Sequence, residues 1–122
     1  MPHSPIIAIV DDDAAIREAL ESLVQSCGYE SRLFVSAEDF LAYEDRAAIN
    51  CMLLDVNMPG LTGLELQDRL NKEPSTPPII FMTSYQDETS KRAAIGGGAL
   101  AFLPKPVDVN RLIDVIEIAI RS

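Results

Sequence analysis

The stretch Cys51-Met52-Leu53-Leu54-Asp55-Val56-Asn57-Met58-Pro59-Gly60 runs four apolar residues into a carboxylate and then into a proline–glycine turn. A short apolar run bounded by turn signals reads as a buried strand. The strand is predicted over Cys51–Leu54, ending at Asp55. After Pro59 and Gly60 turn the chain, Leu61–Leu70 reads as a helix. One strand followed at once by one helix is the repeating unit to look for on either side.

It recurs in both directions. Upstream, Ile6–Val10 is a β-branched run that reads as a strand. Ile16, Leu20, Leu23, Val24 and Cys27 then share a helical face, and Gly28 is a natural stop. Ser31–Val35 reads as a second strand, and Ser36 with Asp39 three residues on opens a short helix as an acidic variant of the capping box. Downstream, the proline-rich Glu73–Pro78 is a loop and Ile79–Met82 a fourth strand. Gln86–Ile95 is a fourth helix ended by Gly96, Gly97 and Gly98, and Leu100–Leu103 a fifth strand. Asp108 caps a last helix that runs almost to Ser122. The order is (βα)₅, which argues for a doubly wound, five-stranded parallel sheet covered on both faces, with right-handed crossovers.

Composition narrows the function classes. The 122 residues suggest one domain, 1–122, and 48% hydrophobic with 24% charged residues is ordinary globular usage. A net charge of −9 repels phosphate backbones, so any DNA contact needs another domain. No apolar run approaches the roughly 20 residues that span a bilayer, and Met1–Pro5 does not read as a signal peptide. A cytoplasmic location is expected. Cys27 and Cys51 sit among apolar residues and read as small buried hydrophobes, not as a disulfide framework or zinc site.

In open parallel sheets, function collects at the carboxyl ends of the strands. Here those ends carry Asp11, Asp12 and Asp13, then Asp55, then Thr83 and Ser84, then Pro104, Lys105 and Pro106. Three or four carboxylates, a hydroxyl and an ammonium are thus predicted to converge. Two like charges about 4 Å apart repel by roughly 4 kcal/mol at an effective dielectric of 20. A hard divalent cation relieves this, and an incomplete oxygen cage suits Mg²⁺. Singly, each residue has a bland explanation. Asp13 is accounted for as a helix N-cap, Lys105 as a solvated turn lysine and Thr83 as a β-branched strand residue. Their joint placement on one edge is the informative fact.

The chain resembles the receiver domains of bacterial two-component response regulators along nearly its whole length. The matching residues are Ile9-Val10-Asp11-Asp12-Asp13, Leu54-Asp55-Val56-Asn57-Met58-Pro59-Gly60 with Thr62-Gly63, Phe81-Met82-Thr83-Ser84, Gly98-Ala99, Phe102 and Lys105-Pro106. The resemblance implies the flavodoxin-like receiver topology. It implies that Asp55 is the phosphoacceptor, charged by a cognate sensor histidine kinase, and that the site permits its own phosphorylation and slow dephosphorylation. It implies that Asp11, Asp12, Asp55 and the backbone carbonyl of Asn57 serve Mg²⁺. Thr83 and Lys105 would bind phosphoryl oxygens, Phe102 would be the switch aromatic, and the Lys105–Pro106 bond would be cis.

Some positions depart from the family pattern. Asp13 stands where glutamate is more usual, and Pro104 replaces a polar residue. Gly96 and Gly97 disfavour helix by about 1 kcal/mol each relative to alanine, so the end of the fourth helix is expected to fray. Other chemistries fit less well. An FMN module on this fold wants a phosphate loop where three aspartates stand. A haloacid-dehalogenase-type phosphatase wants a second acid where Asn57 stands. A degenerate receiver that only binds partners would have lost an acid or the lysine. Pro78–Thr83 and Ala99–Pro106 resemble receivers joined to a LuxR-type helix-turn-helix, so the chain is expected to be the N-terminal part of a longer regulator, with a stand-alone receiver acting as a protein-interaction module as the alternative. On the last helix, Val109, Leu112, Ile113, Ile116, Ala119 and Ile120 are assigned to the core. Ile118 falls off that stripe, and the family resemblance makes it a candidate contact in a phosphorylation-dependent homodimer.

Overall fold

The computed structural model describes residues 4–74, 76–84 and 87–121. Five strands alternate with five helices: β1 (Ile6–Val10), α1 (Ala14–Ser26), β2 (Glu30–Phe34), α2 (Ala37–Ala42), β3 (Cys51–Asp55), α3 (Gly63–Asn71), β4 (Ile79–Thr83), α4 (Glu88–Gly96), β5 (Ala101–Pro104) and α5 (Val109–Arg121). A short 3₁₀ turn over Arg46–Ala48, absent from the sequence reading, precedes β3. The strands form one sheet in the order β2-β1-β3-β4-β5, every pair parallel.

The order explains the burial. β3 and β4 lie inside the sheet and every residue of both is buried. Side chains of a strand alternate between faces, which divides the core in two. Ala8, Met52, Leu54, Phe81 and their neighbours pack with α2, α3 and α4. Ile7, Leu53, Ile80, Leu103 and theirs pack with α1 and α5. Burying a large apolar side chain contributes about 1.5–3 kcal/mol, so these two layers set the register that brings the strand ends level.

Several boundaries move. β2 begins at Glu30 and β5 ends at Pro104, one residue from the expected limits in each case. β5 is an edge strand, where a proline is tolerated, and the ladder resumes as Lys105 N donates to Thr83 O at 2.7 Å. α3 starts at Gly63, not Leu61, because Thr62 and Glu65 form a reciprocal capping box. The predicted start of the fourth helix, Gln86, lies outside the described residues; the helix begins at Glu88 behind an Asp87 cap. Caps read from the sequence are present at Asp13, Ser36 and Asp108, each accepting from amides of its helix's first turn.

Three expectations are corrected. Val109 is 51% exposed and does not join the core, while Leu112, Ile116 and Ala119 do. Ile113 is only half-buried. Cys51 is buried but Cys27, at the end of α1, is half-buried. The end of α4 does not fray. It continues through Gly96, and Gly97 N donates to Ala93 O at 2.9 Å. Gln67 Nε2 donates to Ala94 O at 2.9 Å, and Asn71 Nδ2 to Gly97 O at 2.7 Å. A Cβ on Gly97 would lie 2.7 Å from Gln67 Oε1, so the glycine that weakens the helix makes room for the side chain that holds it.

Candidate functional site

Sheet register sets the site. Val10 pairs with Leu54, so Asp11 and Asp55 leave adjacent strands at the same height. Asp55 pairs with Met82 and Thr83 with Pro104, which brings the hydroxyl and the following lysine to that edge. Asp11 is fully buried, Asp55 is 4% exposed and Thr83 2%, whereas Asp12 and Asn57 face solvent.

Asp11 is held on every side. Its Oδ1 accepts from Asp13 N at 2.9 Å and its Oδ2 from Lys105 Nζ at 2.9 Å. Arg17 Nη1 donates to its backbone oxygen at 2.7 Å. Asp55 Oδ1 accepts from Asn57 N at 3.3 Å and lies 3.5 Å from Lys105 Nζ. One ammonium therefore bridges two buried carboxylates that would otherwise repel. The bond across Lys105–Pro106 is cis.

Burial, followed by the charge of Asp11, pushes the Asp55 carboxyl up to about 6, against the opposing pull of Lys105 and the Asn57 amide. For Lys105, burial disfavours the ammonium, but the hydrogen bond to Asp11 and the charges of Asp55 and Asp11 outweigh it and raise its pKa. The pair is thus a carboxylate whose charge burial disfavours beside an ammonium whose charge the two acids favour.

Asp11, Asp12 and Asp55 each offer a carboxylate oxygen, all within 4.8 Å of one another. With Mg–O bonds of about 2.1 Å, ligands of an octahedral ion lie roughly 3 to 4.2 Å apart. Three hard oxygen donors at this spacing fit that ion after small side-chain adjustments.

Two concavities adjoin the cluster. A cleft of about 190 Å³ is lined by Thr83, Asp87, Glu88, Lys91, Phe102 and Pro104. Phe102 is half-buried, its ring 6.3 Å from that of Phe81. On the other side, α1 and the turn after β5 frame a mainly apolar groove of about 490 Å³, whose walls include Ile16, Leu20, Leu23, Lys105, Pro106 and Val107.

Comparison with known proteins agrees with this arrangement. Residues 7–117 match the family described as the response regulator receiver domain. The chain belongs to that family. The receiver is 41% identical over 116 residues to the transcriptional regulatory protein FixJ of Bradyrhizobium diazoefficiens, covering 95% of this chain and 57% of that one. It is 40% identical over 119 residues to the response regulator protein TodT of Pseudomonas putida, covering 98% and 52%. It thus spans about half the length of the curated relatives it matches. Among solved structures it superposes on the response regulator StyR with a TM-score of 0.90 at 37% identity, covering 97% of this chain and 60% of that one. The Vibrio cholerae chemotaxis protein CheY4 gives 0.84 at 26% identity, covering 95% and 98%. The doubly wound fold and the response-regulator receiver family read from the sequence are those these comparisons show. Among the described residues, no helix is long and apolar enough to cross a membrane.

The structure brings together Asp11, Asp12, Asp55, Thr83 and Lys105, and places Asn57 on the loop directly after Asp55. Ile118 lies on α5, away from this edge, 52% exposed. The sequence reading missed Arg17, which bonds to the backbone of Asp11, and Glu38, which bonds to the loop after Asp55. Only geometry reveals them, since an arginine or glutamate in a helix's first turns is unremarkable by itself.

Proposed function

We propose that Asp55 accepts a phosphoryl group from a phosphohistidine of a sensor kinase, and that the resulting change of surface controls transcription through a further domain. The observation that supports this most is a carboxylate, 4% exposed, with an ammonium 3.5 Å away and two more acids at metal-holding distance. An Asp55 oxygen attacks phosphorus, the phosphorus–nitrogen bond of the donor breaks, and the imidazole leaves with the electron pair. The product is an acyl phosphate, which water later hydrolyses at the same site. Lys105 and the Thr83 hydroxyl bind phosphoryl oxygens during and after transfer, which is the electrostatic positioning this chemistry needs. Asp11, Asp12, Asp55 and the Asn57 carbonyl would hold Mg²⁺, which would supply positive charge to offset that of the phosphoryl oxygens. The receiver catalyses its own modification in this way without being a conventional enzyme.

The donor's histidine-bearing helix is assigned to the apolar groove along α1, which opens beside Lys105. On the other flank, Thr83 and Phe102 line one cleft. When Thr83 turns toward the phosphoryl group, Phe102 gains room, and the α4–β5–α5 surface changes. The exposed Ile118 then contributes to a homodimer. The FixJ-like relatives are named as transcriptional regulators, and the matched stretch is 52–60% of their length. Residues 1–122 are accordingly read as the N-terminal receiver of a longer, cytoplasmic protein with a LuxR-type helix-turn-helix. A charge of −9 leaves DNA contact to that domain. A purely protein-binding receiver is disfavoured by the presence of every acid and the lysine.

Intact-mass spectrometry after incubation with acetyl phosphate and Mg²⁺ tests the acceptor. The wild type should gain one phosphoryl group and Asp55→Asn none; an acyl-phosphate adduct persisting on the variant moves the acceptor elsewhere.

A further inference from the structure

The loop of residues 57–62 has one exposed surface and few anchors. It carries Asn57, whose carbonyl is assigned to the Mg²⁺ site in the proposed function. Its start is pinned by Asn57 N donating to Asp55 Oδ1, and Met58 is buried. Its end is pinned by the Thr62–Glu65 capping box. Between these points, one hydrogen bond among the described residues ties the loop to an element other than β3 and α3. Leu61 N donates to Glu38 Oε2 at 3.1 Å, across 23 residues of sequence.

Glu38 stands in the first turn of α2, behind the Ser36 cap. Its own helix does not need this side chain as the cap, because Ser36 Oγ already accepts from Asp39 N at 3.0 Å. The carboxylate instead sits against Gly60. That residue has φ +77°, and a Cβ there would lie 2.7 Å from Glu38 Oε2. A positive φ is open to glycine at little expense, and the missing side chain leaves the space the carboxylate fills. The loop and Glu38 thus fit each other from two sides, an amide that donates and a glycine that yields.

We infer that Glu38 is a positioning residue for the phosphoacceptor site: by holding the loop at Leu61, it keeps Asn57 beside Asp55 and thereby strengthens Mg²⁺ binding. This rests on the reading of Asp11, Asp12 and Asp55 as the Mg²⁺ site. Glu38 touches none of the acids and acts only through the loop. Its contribution is that of one charge-assisted but exposed hydrogen bond.

The test is Mg²⁺ titration of the metal-free chain, followed by the amide resonances of Asn57, Met58, Gly60 and Leu61. Four variants are compared with wild type, and the melting temperature of each is taken without metal. Glu38→Ala should raise the Kd for Mg²⁺ about three- to tenfold and shift the Leu61 amide resonance even before Mg²⁺ is added. Glu38→Gln, which still offers an acceptor oxygen, should stay within about twofold of wild type. Ser36→Ala, which removes the α2 cap and lowers the melting temperature, should leave the Kd unchanged.

An unaltered Kd in Glu38→Ala overturns the inference. So does an equal loss in Glu38→Gln, which would point to the bare charge, or in Ser36→Ala, which would point to general loosening of α2. Asp12→Ala separates the two readings. If it leaves the Kd unchanged, the cluster is not the Mg²⁺ site and both fall. If it weakens binding while Glu38→Ala does not, the cluster stands and only the role of Glu38 falls.

Discussion

Replacing Asp55 by asparagine is expected to stabilise the metal-free chain at neutral pH. Asparagine is nearly isosteric, so the packing around the 4% exposed side chain survives. What disappears is a charge the fold disfavours. Burial and then Asp11 raise the Asp55 pKa from 3.8 to about 6. At about 1.36 kcal/mol per pH unit this shift corresponds to at most roughly 3 kcal/mol. The mouth of the site is open to water, so a screened value of about 1–2 kcal/mol is the working figure.

Unfolding entropy is about 2.1 cal/mol/K per residue, or about 0.26 kcal/mol/K for this length, so Tm should rise by about 4–8 °C. The sign follows from linkage. The raised group favours the folded state below the unfolded pKa, where both states are protonated, and that advantage is lost as pH rises through the folded value. The gap between variant and wild type should therefore be full above about pH 7, roughly half at pH 5, and absent below about pH 4. Thermal or urea unfolding in EDTA from pH 4 to 8 measures it. Equal stability at pH 7.5, or a gap that does not shrink on acidification, would refute the reasoning that Asp55 is a strained buried carboxylate.

Three further outcomes are expected. Mg²⁺ at about ten times its Kd should raise the wild-type Tm by roughly 5 °C; an equal rise in Asp12→Ala would remove the cluster as the binding site. Hydrogen exchange around Phe102 and the start of α4 should change on phosphorylation of the wild type and change less in Thr83→Ala; no change in the wild type defeats the proposed switch. Ile118→Asp should alter monomer stability by no more than about 0.5 kcal/mol yet weaken dimerisation of the phosphorylated chain, as read by sedimentation with and without phosphorylation. Equal dimerisation of variant and wild type makes Ile118 an ordinary surface residue.

The site was legible in the sequence because its parts fall at strand ends, and strand ends are what short apolar runs announce. Asp11, Asp55 and Lys105 could be placed on one edge without coordinates. The helix caps at Asp13, Ser36 and Asp108 were legible for a similar reason, since the bond is local. Val109 misled because helical periodicity gives an angle around the axis, not the point along it where the opposing layer ends. It shares the direction of Leu112 and Ile116 but lies in the first turn, on the wall of the open groove beside α1. The start of α3 was available in Thr62 and Glu65, whose spacing is that of a capping box, but the apolar Leu61 was taken as the first helical residue. Glu38 and Gln67 were beyond reach. Each bonds to a residue 23 or 27 positions away, and nothing in a single sequence marks such pairs.

Those distant bonds bear on how the site can report its state. α4 buries a single side chain, Ala94, near its carboxyl end. The same end is tied to α3 by Gln67 and Asn71. The amino end has no such tie among the described residues; Asp87 and Glu88 are exposed and line the cleft shared with Thr83 and Phe102. Local stability follows buried contacts and protected hydrogen bonds, so the end of the helix tied to α3 is expected to open less readily than the end beside Thr83. A ligand shifts an equilibrium only through contacts that differ between the two states. In the proposed switch, Thr83 and Lys105 would make such contacts with a phosphoryl group, next to the end without a tie to α3. The glycines that looked like a weakness in α4 therefore sit at its tied end, where Gly97 admits Gln67, and the proposed switch assigns the response to the opposite end, beside Thr83.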